Sequence, residues 1–137
     1  MKIHTTNYIN TFIEVATDTT ANAGIIPPVK SEKKTVANIS FELISQNPYR
    51  FTSDDILFQV YAIQKDLTVN ELAAAREAYF SKGQACLRAS PLTKRYGWGV
   101  HHDENGKVAL YGMETPAYEK FTVDEQLKKV KAMKSSR

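Results

Sequence analysis

The sequence predicts an α+β fold, with helices packed on a small antiparallel sheet that contains a hairpin in its C-terminal half. Three observations predict it. Helix-starting signals stand at Thr35, at Thr52-Ser53-Asp54-Asp55 and at Thr68-x-x-Glu71. Residues 98–113 form two short runs of strand-like composition around Asn105-Gly106, a turn-forming pair. The 137 residues, 42% of them hydrophobic, suffice for one core and are too few for two domains of usual size. The expected unit is therefore a single domain over 1–137, with 17–34 as a surface loop and 134–137 as a frayed tail.

The elements follow in order. Residues 8–17, YINTFIEVAT, cluster aromatic and β-branched side chains and read as a strand. Thr17 to Lys34 is polar and carries Gly24 and Pro27-Pro28, a pair that favours extended backbone and cannot join a ladder. Thr35 to Gln46 fits both periods. Ile39, Phe41 and Leu43 alternate as in a strand, while Val36, Ile39, Leu43 and Ile44 share a helical face. Length, the Thr35 cap and the stop at Asn47-Pro48 favour helix. The hydroxyl and acids of residues 52–55 satisfy free N–H groups and oppose the helix dipole, so a second helix should run to about Gln64, although ILFQVYAI alone is strand-like. Thr68-x-x-Glu71 opens a third, expected to bury Val69, Leu72, Tyr79 and Phe80 and to stop at Gly83.

Ser90-Pro91 places a cap before proline at the first helical position, which predicts one turn ended by Gly97. With Asn105-Gly106 as a two-residue hairpin loop, Trp98, Val100 and His102 share a core face with Ala109, Tyr111 and Met113. Gly97, Gly99, Gly112, His101, Leu110 and Val108 then form the other face, where the glycines leave a gap for a backbone or a flat ligand. A three-residue loop would invert the assignment. Thr122-x-x-Glu125 predicts a last helix burying Val123, Leu127 and Val130.

Composition limits the function classes. The 24% charged content argues against disorder, and no apolar run has the length of a membrane span. The segment MKIHTTNYIN lacks the apolar stretch of a secretory signal, and a single Cys suits a reducing compartment, so the expected location is cytoplasmic. Residues 1–70 hold 6 Lys/Arg against 7 Asp/Glu, and residues 71–137 hold 12 against 8. The basic excess at Lys128, Lys129, Lys131, Lys134 and Arg137 reads more simply as a soluble helix end than as a nucleic-acid tail.

Chemistry concentrates between Ser81 and Met113. That stretch holds the only Cys, the only Trp, two of the three His and five of the six Gly, with Lys82, Arg88, Lys94 and Arg95 uninterrupted by acid. Arg88, Lys94, Arg95, Tyr96, Trp98 and His101 combine cations with rings, the mixture that serves nucleic acids or small anions. Cys86 with His101 or His102 offers thiol chemistry as an alternative, because a thiolate needs cations and a nearby imidazole. Adjacent His101 and His102 point to opposite faces and match no ligand spacing, so no metal is expected. No phosphate loop or serine-hydrolase elbow occurs, and no cofactor is expected.

The stretch SKGQACLRASPLTKRYGWGVHHDENGKVALYGME, with NYINTFIEVA, NPYRFTSDD and VKAMKSSR, resembles a family of small uncharacterised, mainly bacterial proteins described only as a domain of unknown function. The resemblance spans nearly the whole chain and implies no catalytic residues. More distantly, three helices followed by a hairpin are similar in order to a winged-helix domain, although the helix near 69–82 carries a single Arg, Arg76. The expected function is binding of nucleic acid or a small anion rather than catalysis. The alternatives are an enzyme using Cys86, or a structural domain that dimerises through its glycine face. No membrane partner is expected.

Overall fold

The structure, a computed structural model, describes residues 3–135. The fold is α+β. Strand β1 (Thr11–Glu14) leads into the long loop, after which come α1 (Val36–Gln46), α2 (Ser53–Gln64) and α3 (Leu72–Phe80). A one-turn helix α4 (Pro91–Lys94), the hairpin β2 (Trp98–His102) and β3 (Val108–Gly112), α5 (Pro116–Thr122) and β4 (Lys128–Lys131) complete it. The strands form one sheet in the order β3-β2-β1-β4. The hairpin and β1 pair antiparallel, and β4 adds parallel to β1, so the sheet is mixed. No helix is long and apolar enough to cross a membrane among the described residues.

Local chemistry explains the helices. Thr35 and Thr52 each accept from the backbone three residues on, and Asn38 and Asp55 reach back to the cap N–H groups. These reciprocal bonds settle the ambiguous 35–46 segment, and also 56–63, as helix. Replacing Thr52 by Ala should remove one such bond and lower stability by about 1 kcal/mol in urea unfolding, whereas Val69→Ala, at an exposed site, should be nearly neutral. Val69 is 84% exposed, against expectation, because the Thr68 box opens a short 3-10 turn (Val69–Glu71) whose outer side faces solvent. Ser90 caps α4 by accepting from Leu92 N–H, as its sequence predicts.

Two expectations fail. The hairpin loop has three residues, not two. Asp103 N–H donates to Lys107 carbonyl (3.0 Å), and the Asp103 carboxylate accepts from Asn105 and Lys107 N–H (2.9 and 2.8 Å). Within the loop only Gly106 has positive φ, +77°. This side-chain-bridged turn with a bulge shifts the register by one. Trp98 now faces Gly112, Val100 faces Leu110, and His102 faces Val108. These six share one face, while Gly99, His101, Ala109 and Tyr111 occupy the other.

The helix expected after Thr122 is instead strand β4. The helix in this region starts earlier, at Pro116, where Thr115 accepts from Tyr118 N–H, and it ends at Thr122 with Val123 69% exposed. The open edge of β1 requires backbone partners, and residues 128–131 supply them. Residues 136 and 137 of the expected frayed tail lie outside the described residues.

The sheet is covered on both faces. Ile13, Val100 and Val108 meet Ile39, Ile44, Ile56, Val60, Leu87 and Leu92 on one side. On the other, Phe12 packs edge-on to Tyr118 (5.1 Å) and stacks on Phe121 (5.1 Å). A Cβ at Gly99 would stand 2.5 Å from Phe12 and 2.7 Å from Tyr118, so this glycine admits the protein's own α5 rather than a ligand. The hairpin is thus the middle and edge of a covered sheet, unlike the projecting hairpin of a winged helix.

Candidate functional site

The chain just before β1 and the turn after α3 meet at one end of the sheet, and three reactive side chains meet with them. The Tyr8 hydroxyl lies 3.5 Å from the Cys86 sulfur, in hydrogen-bond contact. Cys86 precedes a 3-10 turn (Leu87–Ala89) that buries Leu87 in the core and carries Arg88. Arg88 is locked by its own strand-like pairing with the end of β4. Its Nε donates to the Lys131 carbonyl (2.7 Å), and its carbonyl accepts from Met133 N–H (2.8 Å).

The Tyr8 phenol registers both neighbours. Burial and the adjoining thiol raise its pKa above the ordinary tyrosine value, while the Arg88 guanidinium, by charge and N–H, pulls it back. Behind Tyr8 sits His102, edge-on with ring centroids 5.4 Å apart. His102 is fully buried, and neither ring nitrogen has a partner at hydrogen-bond geometry, although the backbone of Val100 and Thr11 lies close enough to favour its protonated form. Burial pushes its pKa down to about 4, so the ring is neutral at pH 7. On its apolar side, Cys86 lines a cavity of about 150 Å³ with Val36, Ser40, Leu57, Ala85 and Pro91.

Of the cations in the described residues, three are paired with carboxylates, and Arg88 is among those that are not. Arg76 is bonded to Asp55 (2.9 Å) and lies over the rings of Phe58 and Phe80, Lys34 is paired with Glu42, and Lys131 with Glu14. Among the described residues no carboxylate stands within 4.0 Å of the Arg88 guanidinium. The larger groove between α2 and α3, about 640 Å³, is lined mainly by Phe58, Ala62, Ile63, Leu67 and Leu72, and its Arg76 is already neutralised.

The residues singled out in sequence are distributed over several surfaces. Lys94 and Arg95 lie on and just after α4, half-buried and exposed respectively, and Tyr96 packs against the core. Trp98 donates from its indole N–H to the Ile25 carbonyl (2.8 Å) and packs against Phe41 and Gly24, so its ring faces are occupied. His101 points to the opposite face of the sheet from Trp98 and His102. No hydrogen bond joins Cys86 to either histidine, and the partner of the thiol is Tyr8. Sequence reading missed Tyr8, whose signal lay only in its place at the start of the first strand.

His101 belongs to a second polar cluster. Its Nδ1 lies 2.8 Å from the Tyr49 hydroxyl, which is 2.7 Å from that of Tyr111, and its ring stacks on Phe121 at 4.4 Å. Burial lowers the His101 pKa against the raising pull of Asp103, Asp124 and Glu104. Tyr49 adopts φ +61°, a left-handed conformation held by its N–H bond to the Val108 carbonyl (2.9 Å). Burial and the Tyr111 hydroxyl raise the Tyr49 pKa above the ordinary tyrosine value. Through these bonds the cluster reads as a clamp on β3. Among the described residues no group of three metal-ligating side chains forms.

No curated protein and no solved structure matches the chain. The cluster of Tyr8, Cys86, Arg88 and His102 draws on both halves of the sequence, and a family model covers both halves. Over residues 3–137 the chain matches the model of DUF6157, a family of unknown function, and it belongs to that family.

Proposed function

We propose that the protein binds a small anionic ligand at Tyr8, Cys86 and Arg88. One observation carries this reading: the Arg88 guanidinium, fixed through its Nε by a backbone bond and without a carboxylate partner among the described residues, acts on the same Tyr8 hydroxyl that contacts the Cys86 thiol. A cation held in this way is preorganised for a carboxylate or phosphate, because its planar fork needs little ordering on binding. The Tyr8 hydroxyl supplies a further hydrogen bond, and the cavity at Cys86 gives room for a short apolar chain.

Amide NMR titration with phosphate, acetate and a set of short carboxylates, at low and moderate ionic strength, tests the reading. Arg88→Gln is expected to weaken binding about tenfold or more, the value of a charge-assisted bond. Lys94→Gln and Arg95→Gln should leave it unchanged. Binding unaffected by Arg88→Gln, or none at low ionic strength, overturns the proposal. Affinity for DNA or RNA that is lost with Lys94 and Arg95 and falls log-linearly with salt would replace it by a nucleic-acid role.

A further inference from the structure

We propose that residues 3–10, the segment leading into β1, form a strap that protonation of His102 releases, so that mild acid uncovers this imidazole and the adjoining face of Cys86. The device does not depend on an anion at Arg88. It rests on where His102 lies, on what covers it and on how that cover is held.

His102 is 0% exposed, and neither ring nitrogen has a partner at hydrogen-bond geometry. Its pairing partners, Thr11 of β1 and Val108 of β3, bound it on two flanks, and neither can leave without opening the sheet. The third neighbour is the Tyr8 ring, edge-on at 5.4 Å, and Tyr8 lies outside every helix and strand. A neutral imidazole is tolerated in this position, whereas an imidazolium would be a buried charge without a partner. Lifting one irregular segment brings water to the ring at less cost than unfolding the sheet.

The strap is held by polar contacts rather than apolar burial. Ile3 and Ile9 are 59% and 63% exposed. The grip falls on the start of α2. There the Asp54 carboxylate accepts from the Thr5 hydroxyl, the Thr6 N–H and the Thr6 hydroxyl, each at 2.7 Å, and Asp54 N–H donates to the Asn7 side-chain carbonyl (2.9 Å). Two backbone bonds mark the ends, His4 N–H to the Phe80 carbonyl (2.8 Å) and Asn10 N–H to the Asp103 carbonyl (3.0 Å). Water replaces such bonds at modest net cost. At Asn10 the backbone takes φ +47°, a left-handed bend that separates strap from strand.

The groups around the ring leave its charge uncompensated. Burial opposes protonation most, and the adjacent His101 adds to it, while Asp103 and the backbone of Val100 and Thr11 offset only part. Thr11 and Val108 carry no charge. On the strap side Tyr8 is neutral, and its own neighbours are the Cys86 thiol and the Arg88 guanidinium, which disfavours a second cation.

Amide exchange followed by NMR on the full chain tests the device, with protection factors dividing out the ordinary pH dependence of exchange. The His4, Thr6 and Asn10 amides are expected to be less protected than those of Ile44 and Val60, and to lose protection about tenfold or more between pH 6.5 and 4.5. His102→Leu should make strap protection nearly equal at the two pH values. Asn7→Ala removes a strap bond but no titrating group, so it should lower strap protection at both while keeping the response to pH. The device is overturned by strap amides as protected as the core, by strap protection indifferent to pH, or by a pH response that survives in His102→Leu and so belongs to Asp54.

Discussion

Replacing Gly97 by Ala is expected to destabilise the fold by about 3 kcal/mol or more, from overpacking together with the strain of a side chain in the left-handed region. Gly97 has φ +77°, and a Cβ there would stand 2.2 Å from the carbonyl oxygen of Ala23 and 2.8 Å from its carbonyl carbon. Both are backbone atoms, so no side-chain rotation relieves the clash. The neighbourhood has little freedom to shift. The Gly97 carbonyl accepts from Met113 N–H (2.9 Å), Ile25 N–H donates to the Tyr96 carbonyl (2.8 Å), and the Ile25 carbonyl holds the Trp98 indole. The same substitution at Gly83, where the nearest heavy atom to a new Cβ is 3.9 Å away, should stay within about 0.5 kcal/mol of the parent. Urea unfolding of the two variants gives the comparison. A Gly97→Ala protein as stable as Gly83→Ala would contradict the close approach of the loop to the sheet.

The second large effect is a loss of stability in mild acid, traced to His102. Its pKa is about 4 in the folded protein and near 6.5 when exposed. The unfolded chain therefore binds the proton first. Stability from this residue is complete above about pH 6.5, falls as the pH drops from there toward 4, and levels off below 4. The full difference amounts to about 3 kcal/mol. His101, whose pKa is also lowered by burial, contributes with the same sign from a half-buried position. Asp55, held low by its bonds to Thr52 and Arg76 against the cost of burial, loses its contribution at more acid pH. His102→Leu should flatten the profile between pH 6.5 and 4 and raise stability at neutral pH, because it removes two buried unsatisfied nitrogens. An unchanged profile in that variant would remove His102 as the cause.

Several features of the fold and site were legible in the sequence because their causes are local. Thr35, Thr52 and Ser90 each accept from an orphan N–H within three residues, and Glu71 accepts from the Thr68 N–H and hydroxyl, so the first three helices and the turn at α4 follow from short-range hydrogen bonding. The concentration of chemistry around Cys86 and Arg88 was visible for the same reason, since both lie in one acid-free run. Thr115-Pro116 carries the same start signal as Ser90-Pro91 and could have located α5.

Tertiary structure decided the rest, where one backbone or side chain answers another far along the chain. Residues 128–131 carry no strong strand propensity, and they are a strand because β1 has an edge to satisfy. Asp103 sets the hairpin register by bridging its turn, and one residue of shift exchanges the faces of β3. Tyr8 and Cys86 are 78 positions apart, and Arg88 and Lys131 are 43. Propensity and periodicity sense neighbours within a turn or a pleat, so they locate helices and mark a reactive segment. Which hydroxyl meets the thiol, and which carbonyl fixes Arg88, depends on burial and backbone pairing that arise only when the sheet closes.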